Sequence, residues 1–281
     1  LAVDEVDHDL YALKQLRRPH ATDGETIAAG EFRVLKNLSH PNLPRVFDVY
    51  PPQNAVHMKM EYIEGSRLTD VMHRYDRSPE EWANLASDIC HAISYLEQHQ
   101  LLHRDIKPDN IIIRDEPKST VLVDFGIATA ADGAQGIAGT PGYLPPEAYG
   151  ALVPPASLDR YAAAVVLLEA YFGRKPFSTE TGFVQQPISL SELPDLTAQD
   201  RSLAQVLLHA LATDPIERPP SAAEFLEQLM HALQTPPIVD PGKERRINPT
   251  VNEILALFRN SSRGNADNRG LDTPFAHETY V

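Results

Sequence analysis

The chain has 281 residues, 42% of them hydrophobic, which is enough apolar material for a sizeable core. A formal net charge of −14 argues against a nucleic-acid or anionic-membrane surface as partner, and a single cysteine, Cys90, excludes an internal disulfide. No apolar run is long enough to span a bilayer and no signal peptide is visible, so a cytoplasmic location is expected for this segment.

In chain order, the first well-marked element is a helix. Ser78-Pro79-Glu80-Glu81 has the form of a capping box with proline at the first helical position, and Trp82, Leu85, Ala86, Ile89, Ile93 and Leu96 continue at helical spacing. Cys90 falls on the apolar face of that helix, which predicts a buried thiol. Leu101-Leu102, Ile111-Ile112-Ile113 and Val121-Leu122-Val123 read as short buried strands, with residues 114–120 as a polar turn. An apolar helix follows over residues 162–172. Ser221-Ala222-Ala223-Glu224 caps a last one carrying Phe225, Leu226, Leu229, Met230 and Leu233, and Thr235-Pro236-Pro237 then ends the domain. Beyond it, residues 248–258 suit a linker into a further region or a docking segment presenting Ile254, Leu255, Leu257 and Phe258.

The chemistry lies between the predicted strands. His103-Arg104-Asp105-Ile106-Lys107-Pro108-Asp109-Asn110, followed by Asp124-Phe125-Gly126, sets out a carboxylate, a lysine, an amide and a second carboxylate. A phosphoryl group in transfer carries several negative charges, so its site must position a hydroxyl and neutralise charge, with little covalent work left to do. Asp, Asn and Gly are common turn formers, but these strings occur together and in order. The run resembles the catalytic loop and metal-binding triplet of eukaryotic-type (Hanks-type) protein kinases, and the Lys107-Pro108 form resembles their serine/threonine branch.

That resemblance implies roles for named residues. Asp105 would orient the substrate hydroxyl and accept its proton, and Lys107 would stabilise the γ-phosphate. Asn110 and Asp124 would ligate Mg²⁺, with Mn²⁺ as an alternative metal. Tyr11-Ala12-Leu13-Lys14 resembles the strand whose lysine grips the α- and β-phosphates, and Glu31, in Glu31-Phe32-Arg33-Val34-Leu35, would pair with Lys14. His40-Pro41-Asn42-Leu43 also fits the family. Residues 58–65 resemble the last small-lobe strand and hinge, with Met60 as gatekeeper, backbone groups of Glu61 and Ile63 facing the adenine, and Ile112 completing the ATP contacts. His103 would join Leu35, Val46 and Phe125 in a hydrophobic spine. In Gly139-Thr140-Pro141-Gly142-Tyr143-Leu144-Pro145-Pro146-Glu147, Thr140 would bond the catalytic Asp and Lys. Glu147 and Arg218 match the family's buried ion pair, and Asp159 matches the residue supporting the catalytic-loop backbone, although Tyr161 and Ala164 stand where the family tends to have tryptophan and glycine.

Other departures bear on function. No Gly-x-Gly-x-x-Gly string occurs, and aligning back from Lys14 puts Leu1 inside the second strand of the fold. The expectation is a fragment of a longer polypeptide; the other reading is a degenerate nucleotide site. Thr129 and Thr140 are the activation-segment threonines, and activity independent of loop phosphorylation is expected. The tail loosely resembles a stretch that follows the kinase in large bacterial kinases of phage-defence systems.

The resemblance thus implies an α+β, two-lobed protein kinase fold, with an antiparallel sheet and one helix in the small lobe and a mainly helical large lobe. Residues 1–63 would form the small lobe, 64–235 the large lobe and 236–281 a tail or linker, with adjoining domains beyond both ends. The implied function is transfer of the γ-phosphate of Mg-ATP to serine or threonine of a protein substrate in a bacterial regulatory setting. The alternative is a pseudokinase acting as a nucleotide-sensing or partner-binding module.

Overall fold

The computed structural model describes residues 2–3, 9–17, 35–50, 55–76, 78–124, 139–149, 155–177, 189–193 and 196–234. Near the amino terminus lies a four-stranded antiparallel sheet, β1 (Ala2–Val3), β2 (Leu10–Arg17), β3 (Val46–Tyr50) and β4 (Ala55–Glu61), in the order β1-β2-β4-β3. The register pairs Ala12 with Met60 and Lys14 with Met58. Alternation sends Met58 and Met60 into the core while Lys59 and Glu61 face outward. On the outer side Tyr11 meets Phe47 edge-on at 5.3 Å, and the Lys59 ammonium sits 3.6 Å from the Tyr11 ring centroid.

A second, three-stranded antiparallel sheet holds β5 (Ser66–Arg67), β6 (Ile111–Arg114) and β7 (Ser119–Leu122). Ile111 and Ile113 are buried, and the alternate residues Ile112 and Arg114 are only partly so. The β6–β7 hairpin is therefore clamped on its apolar face, with the residues before β6 and after β7 left to form the site.

Four longer helices build most of the rest of the described fold, beside one short α-helical turn at Leu68–Val71: α1 (Pro79–Gln98), α2 (Pro155–Phe172), α3 (Ala198–Ala210) and α4 (Ala222–Gln234). Helix α2 is apolar nearly all round, and its residues 161–168 are all buried, which places it at the centre of the helical layer. Helix α1 runs across it, and the buried Trp82 donates its indole N–H to the Leu167 carbonyl at 2.8 Å. Truncating any fully buried leucine here, such as Leu167 or Leu85, costs about 2–5 kcal/mol. Helix α3 opens with a reciprocal cap between Thr197 and Asp200, and in α4 Ser221 accepts the Glu224 N–H at 3.1 Å.

Three sequence expectations are corrected. The capping box at Ser78 does not form: its side chain makes no cap bond, and its carbonyl instead accepts the Trp82 N–H at 2.9 Å. Proline at the first helical position and Glu80 and Glu81 in the first turn still favour that helix start. Leu101-Leu102 is not a strand, because the Leu101 N–H bonds Leu96 at 2.9 Å and closes the end of α1. The expected strand over residues 121–123 is displaced to Ser119–Leu122, since the Val123 N–H leaves the ladder for the Asn110 carbonyl at 2.8 Å. Glu31, Phe125, Thr129 and the tail from residue 235 onward lie outside the described residues. Among the described residues, no helix is long and apolar enough to cross a membrane.

Candidate active site

The catalytic-loop segment has no ladder of its own and is held from below. Asp159, at 1% exposure in α2, accepts the His103 N–H at 2.6 Å and the Arg104 N–H at 2.8 Å. Burial pushes the Asp159 carboxyl up to about 6, against the pull of those two bonds. Arg104 is held at φ +68°, a left-handed conformation that a non-glycine residue keeps only where its surroundings fix it. The His103 ring is fully buried, with Nε2 3.1 Å from the Val123 carbonyl, and burial lowers its pKa to about 4.

With the backbone fixed, the side chains converge. The Thr140 hydroxyl donates to Asp105 Oδ1 at 2.7 Å, and the Asn110 amide donates to Asp105 Oδ2 at 2.8 Å. Lys107 Nζ lies 2.8 Å from Asp105 Oδ2 and donates to Thr140 Oγ1 at 2.7 Å. A hydroxyl has one proton and two lone pairs, so Thr140 can serve the carboxylate and the ammonium together, which valine cannot. Burial pushes the Asp105 carboxyl up, but the donors Lys107, Thr140 and Asn110 outweigh it and hold it below the ordinary carboxylate range. Asp105 is thus an ionised acceptor in a ring of cationic and neutral donors.

The second carboxylate is brought in by β7. Asn42 accepts the Leu122 N–H at 2.9 Å and donates its side-chain amide to Thr120 at 2.8 Å, which fixes the strand end. Asp124 follows at φ +65° with half its side chain exposed, and Lys14 Nζ reaches it from β2 at 2.6 Å. The small and large lobes therefore meet through Lys14 and Asp124. The expected partner Glu31 lies outside the described residues.

The donor set suits Mg²⁺. Asn110 spends its amide N–H groups on the carbonyl and carboxylate of Asp105, which leaves its oxygen as a hard acceptor, and Asp124 supplies an exposed carboxylate oxygen. Sequence spacing alone could not reveal that the Asn110 amide also orients the Asp105 carboxylate.

The remaining predicted residues fall around this centre. Met60 and Ile63 are buried at 7% and 4%, Glu61 is half-buried at the end of β4, and Ile112 lies mid-strand in β6. Arg218 grips Glu147 with two bonds, at 2.5 and 2.8 Å, donates Nε to the Ala212 carbonyl at 2.8 Å and lies over the Tyr161 ring. Tyr161, where the family tends to have tryptophan, is thus the aromatic floor of that ion pair. Sequence reasoning missed the buried pair Arg160–Glu97, in which Glu97 also accepts the Ala222 N–H at 3.0 Å and ties α1 to α2 and α4. It also missed Tyr143, whose hydroxyl donates to Glu169 at 3.0 Å.

A small antiparallel sheet over a helical layer, joined by the Lys14–Asp124 contact, is a two-lobed α+β arrangement. The chain belongs to the protein kinase domain family, whose description "Protein kinase domain" matches residues 1–234. It is 33% identical over 241 residues to serine/threonine-protein kinase PrkC of Bacillus subtilis (strain 168), covering 80% of this chain and 36% of that protein. It is 28% identical over 275 residues to serine/threonine-protein kinase pkn3 of Myxococcus xanthus, covering 89% and 49%. The chain therefore spans only about a third to a half of these relatives. In structure it is similar to Rad53 1–466, solved in complex with AMP-PNP, with a TM-score of 0.61 at 23% identity over 81% of this chain and 60% of that one.

Proposed function

We propose that this chain is a serine/threonine protein kinase that transfers the γ-phosphoryl group of ATP to a protein hydroxyl. The observation that carries the reading is the closed triangle of Asp105, Lys107 and Thr140, with Asn110 bonded to the same Asp105 carboxylate, every contact at 2.7 or 2.8 Å. In the transfer, the bond from the γ-phosphorus to the β–γ bridging oxygen breaks and a bond to the acceptor oxygen forms. The hydroxyl proton passes to Asp105, and ADP leaves. Because Asp105 is held ionised, its first task is to orient the hydroxyl as a hydrogen-bond acceptor, with the proton following late. Lys107, beside it, stabilises charge on the transferring group. Asn110 and Asp124 would hold Mg²⁺, which would supply neutralisation of the phosphate charge. Lys14 would hold the α- and β-phosphates, and Met60, Glu61, Ile63 and Ile112 would receive the adenine. The AMP-PNP in the similar Rad53 structure and the kinase relatives support ATP as donor.

Residues 1–63 serve as the small lobe and 64–235 as the large lobe in this reading, and a cytoplasmic setting supplies the ATP. The second reading is a pseudokinase acting as a nucleotide-sensing or partner-binding module. Phosphate incorporation from labelled Mg-ATP into a generic basic protein and into the chain itself separates the two. Transfer to serine or threonine that vanishes in Asp105→Asn and Asp124→Asn is expected. Mg-ATP binding without transfer would leave the pseudokinase.

A further inference from the structure

Glu61 is bound on two sides. Its N–H donates to the Arg45 carbonyl at 2.8 Å, and its Oε2 accepts the Arg45 N–H at 3.1 Å, so its backbone and side chain both hold the entry to β3. Its Oε1 accepts from Arg114 Nη2 at 2.5 Å. Arg114 is the last residue of β6, the strand that begins directly after Asn110. One carboxylate thus ties the end of the small-lobe sheet to the strand that leaves the catalytic loop. A second contact fixes the same segment: a Cβ added at Gly65 would lie 2.2 Å from the Ile113 carbonyl oxygen, so the chain at residue 65 runs against β6 one residue before Arg114. Residues 61–65 are pinned at both ends on neighbouring positions of one strand.

We infer that Arg114 is a positioning residue for the nucleotide: through Glu61 it fixes the peptide that faces the adenine and sets the spacing of the two lobes. This rests on the ATP-binding reading above. The pair is partly exposed, 22% and 36% for the two side chains, so it adds little to global stability. Its effect is preorganisation, since a hinge already held in place has less to lose in order when ATP binds. The signature is accordingly a change in nucleotide affinity without a change in folding.

The test is the Kd of Mg-ATP, with KM and kcat beside it, for the 281-residue chain and for Arg114→Gln, Glu61→Gln, the double variant and Arg114→Lys. Arg114→Gln is expected to weaken Mg-ATP binding about fivefold, equivalent to ~1 kcal/mol, with kcat within about twofold and an unchanged melting temperature. The double variant should be no weaker than either single one, and Arg114→Lys should recover part of the loss. Unchanged affinity in Arg114→Gln, additive losses in the double variant, or a fall in melting temperature parallel to the loss of affinity would each overturn the inference. If the unmodified chain fails to bind Mg-ATP, the kinase reading falls and takes the clamp with it. If it binds and Arg114→Gln binds equally well, only the clamp falls.

Discussion

Replacing Glu147 by alanine strands the Arg218 guanidinium, whose side chain has no solvent exposure. Two charge-assisted bonds, at 2.5 and 2.8 Å, are lost, and only the Ala212 carbonyl, the long contact to Thr213 and the Tyr161 ring remain to the cation. Breaking a buried pair from one side costs about 3–5 kcal/mol. At roughly 2–4 °C per kcal/mol for a domain of this size, the melting temperature should fall by about 6–20 °C. Differential scanning calorimetry and urea unfolding measure it. The double change Glu147→Leu with Arg218→Met removes both charges and should lose much less than Glu147→Ala, because no unpaired ion stays inside. A drop under about 3 °C for Glu147→Ala, or a double variant as unstable as the single, would refute the argument.

Thr140→Val removes a hydroxyl that bonds both Asp105 and Lys107; kcat should fall about 10- to 100-fold while Thr140→Ser keeps most activity, read by steady-state phosphate transfer. His103 is neutral when folded, with a pKa near 4 against 6.5 unfolded, so its stabilisation is full above 6.5 and is lost as pH falls through 4. This amounts to about 3 kcal/mol. Asp159, raised to about 6, acts in the opposite sense: its protonated form favours folding at low pH, and that contribution is lost as pH rises through 6. Subtracting the pH–stability curve of His103→Phe isolates the histidine, and an identical acid limb in the variant would exclude it as the titrating group. Gly65→Ala should cost about 1–3 kcal/mol, since a Cβ there meets the Ile113 carbonyl at 2.2 Å with φ at +151°; a melting temperature equal to wild type would show that the hinge yields freely.

Much of the candidate site was legible because most of its residues stand in contiguous strings. Asp105, Lys107 and Asn110 lie within six residues, and their roles need only a loop hung between a helix and a hairpin. Thr140, 35 residues from Asp105, was legible only through resemblance, since periodicity carries no information on such a contact. Glu61–Arg114, Arg160–Glu97 and Asn42–Thr120 join residues 53, 63 and 78 apart, and nothing local marks them as partners. The strand expected at Leu101-Leu102 failed for a related reason. Two apolar residues fit a strand or the end of a helix equally well, and the bond from Leu101 to Leu96 decides between them.

The single tryptophan lies wholly inside the helical layer, edge-on to Tyr171 at 5.6 Å and bonded to the Leu167 carbonyl. Its emission is therefore a built-in reporter of one lobe. Fluorescence-detected denaturation follows the loosening of α1 from α2, whereas far-ultraviolet circular dichroism records the sheet as well. Coincident curves from the two signals would mean that the lobes come apart as a single cooperative unit, and separated curves would mean that the small lobe melts on its own.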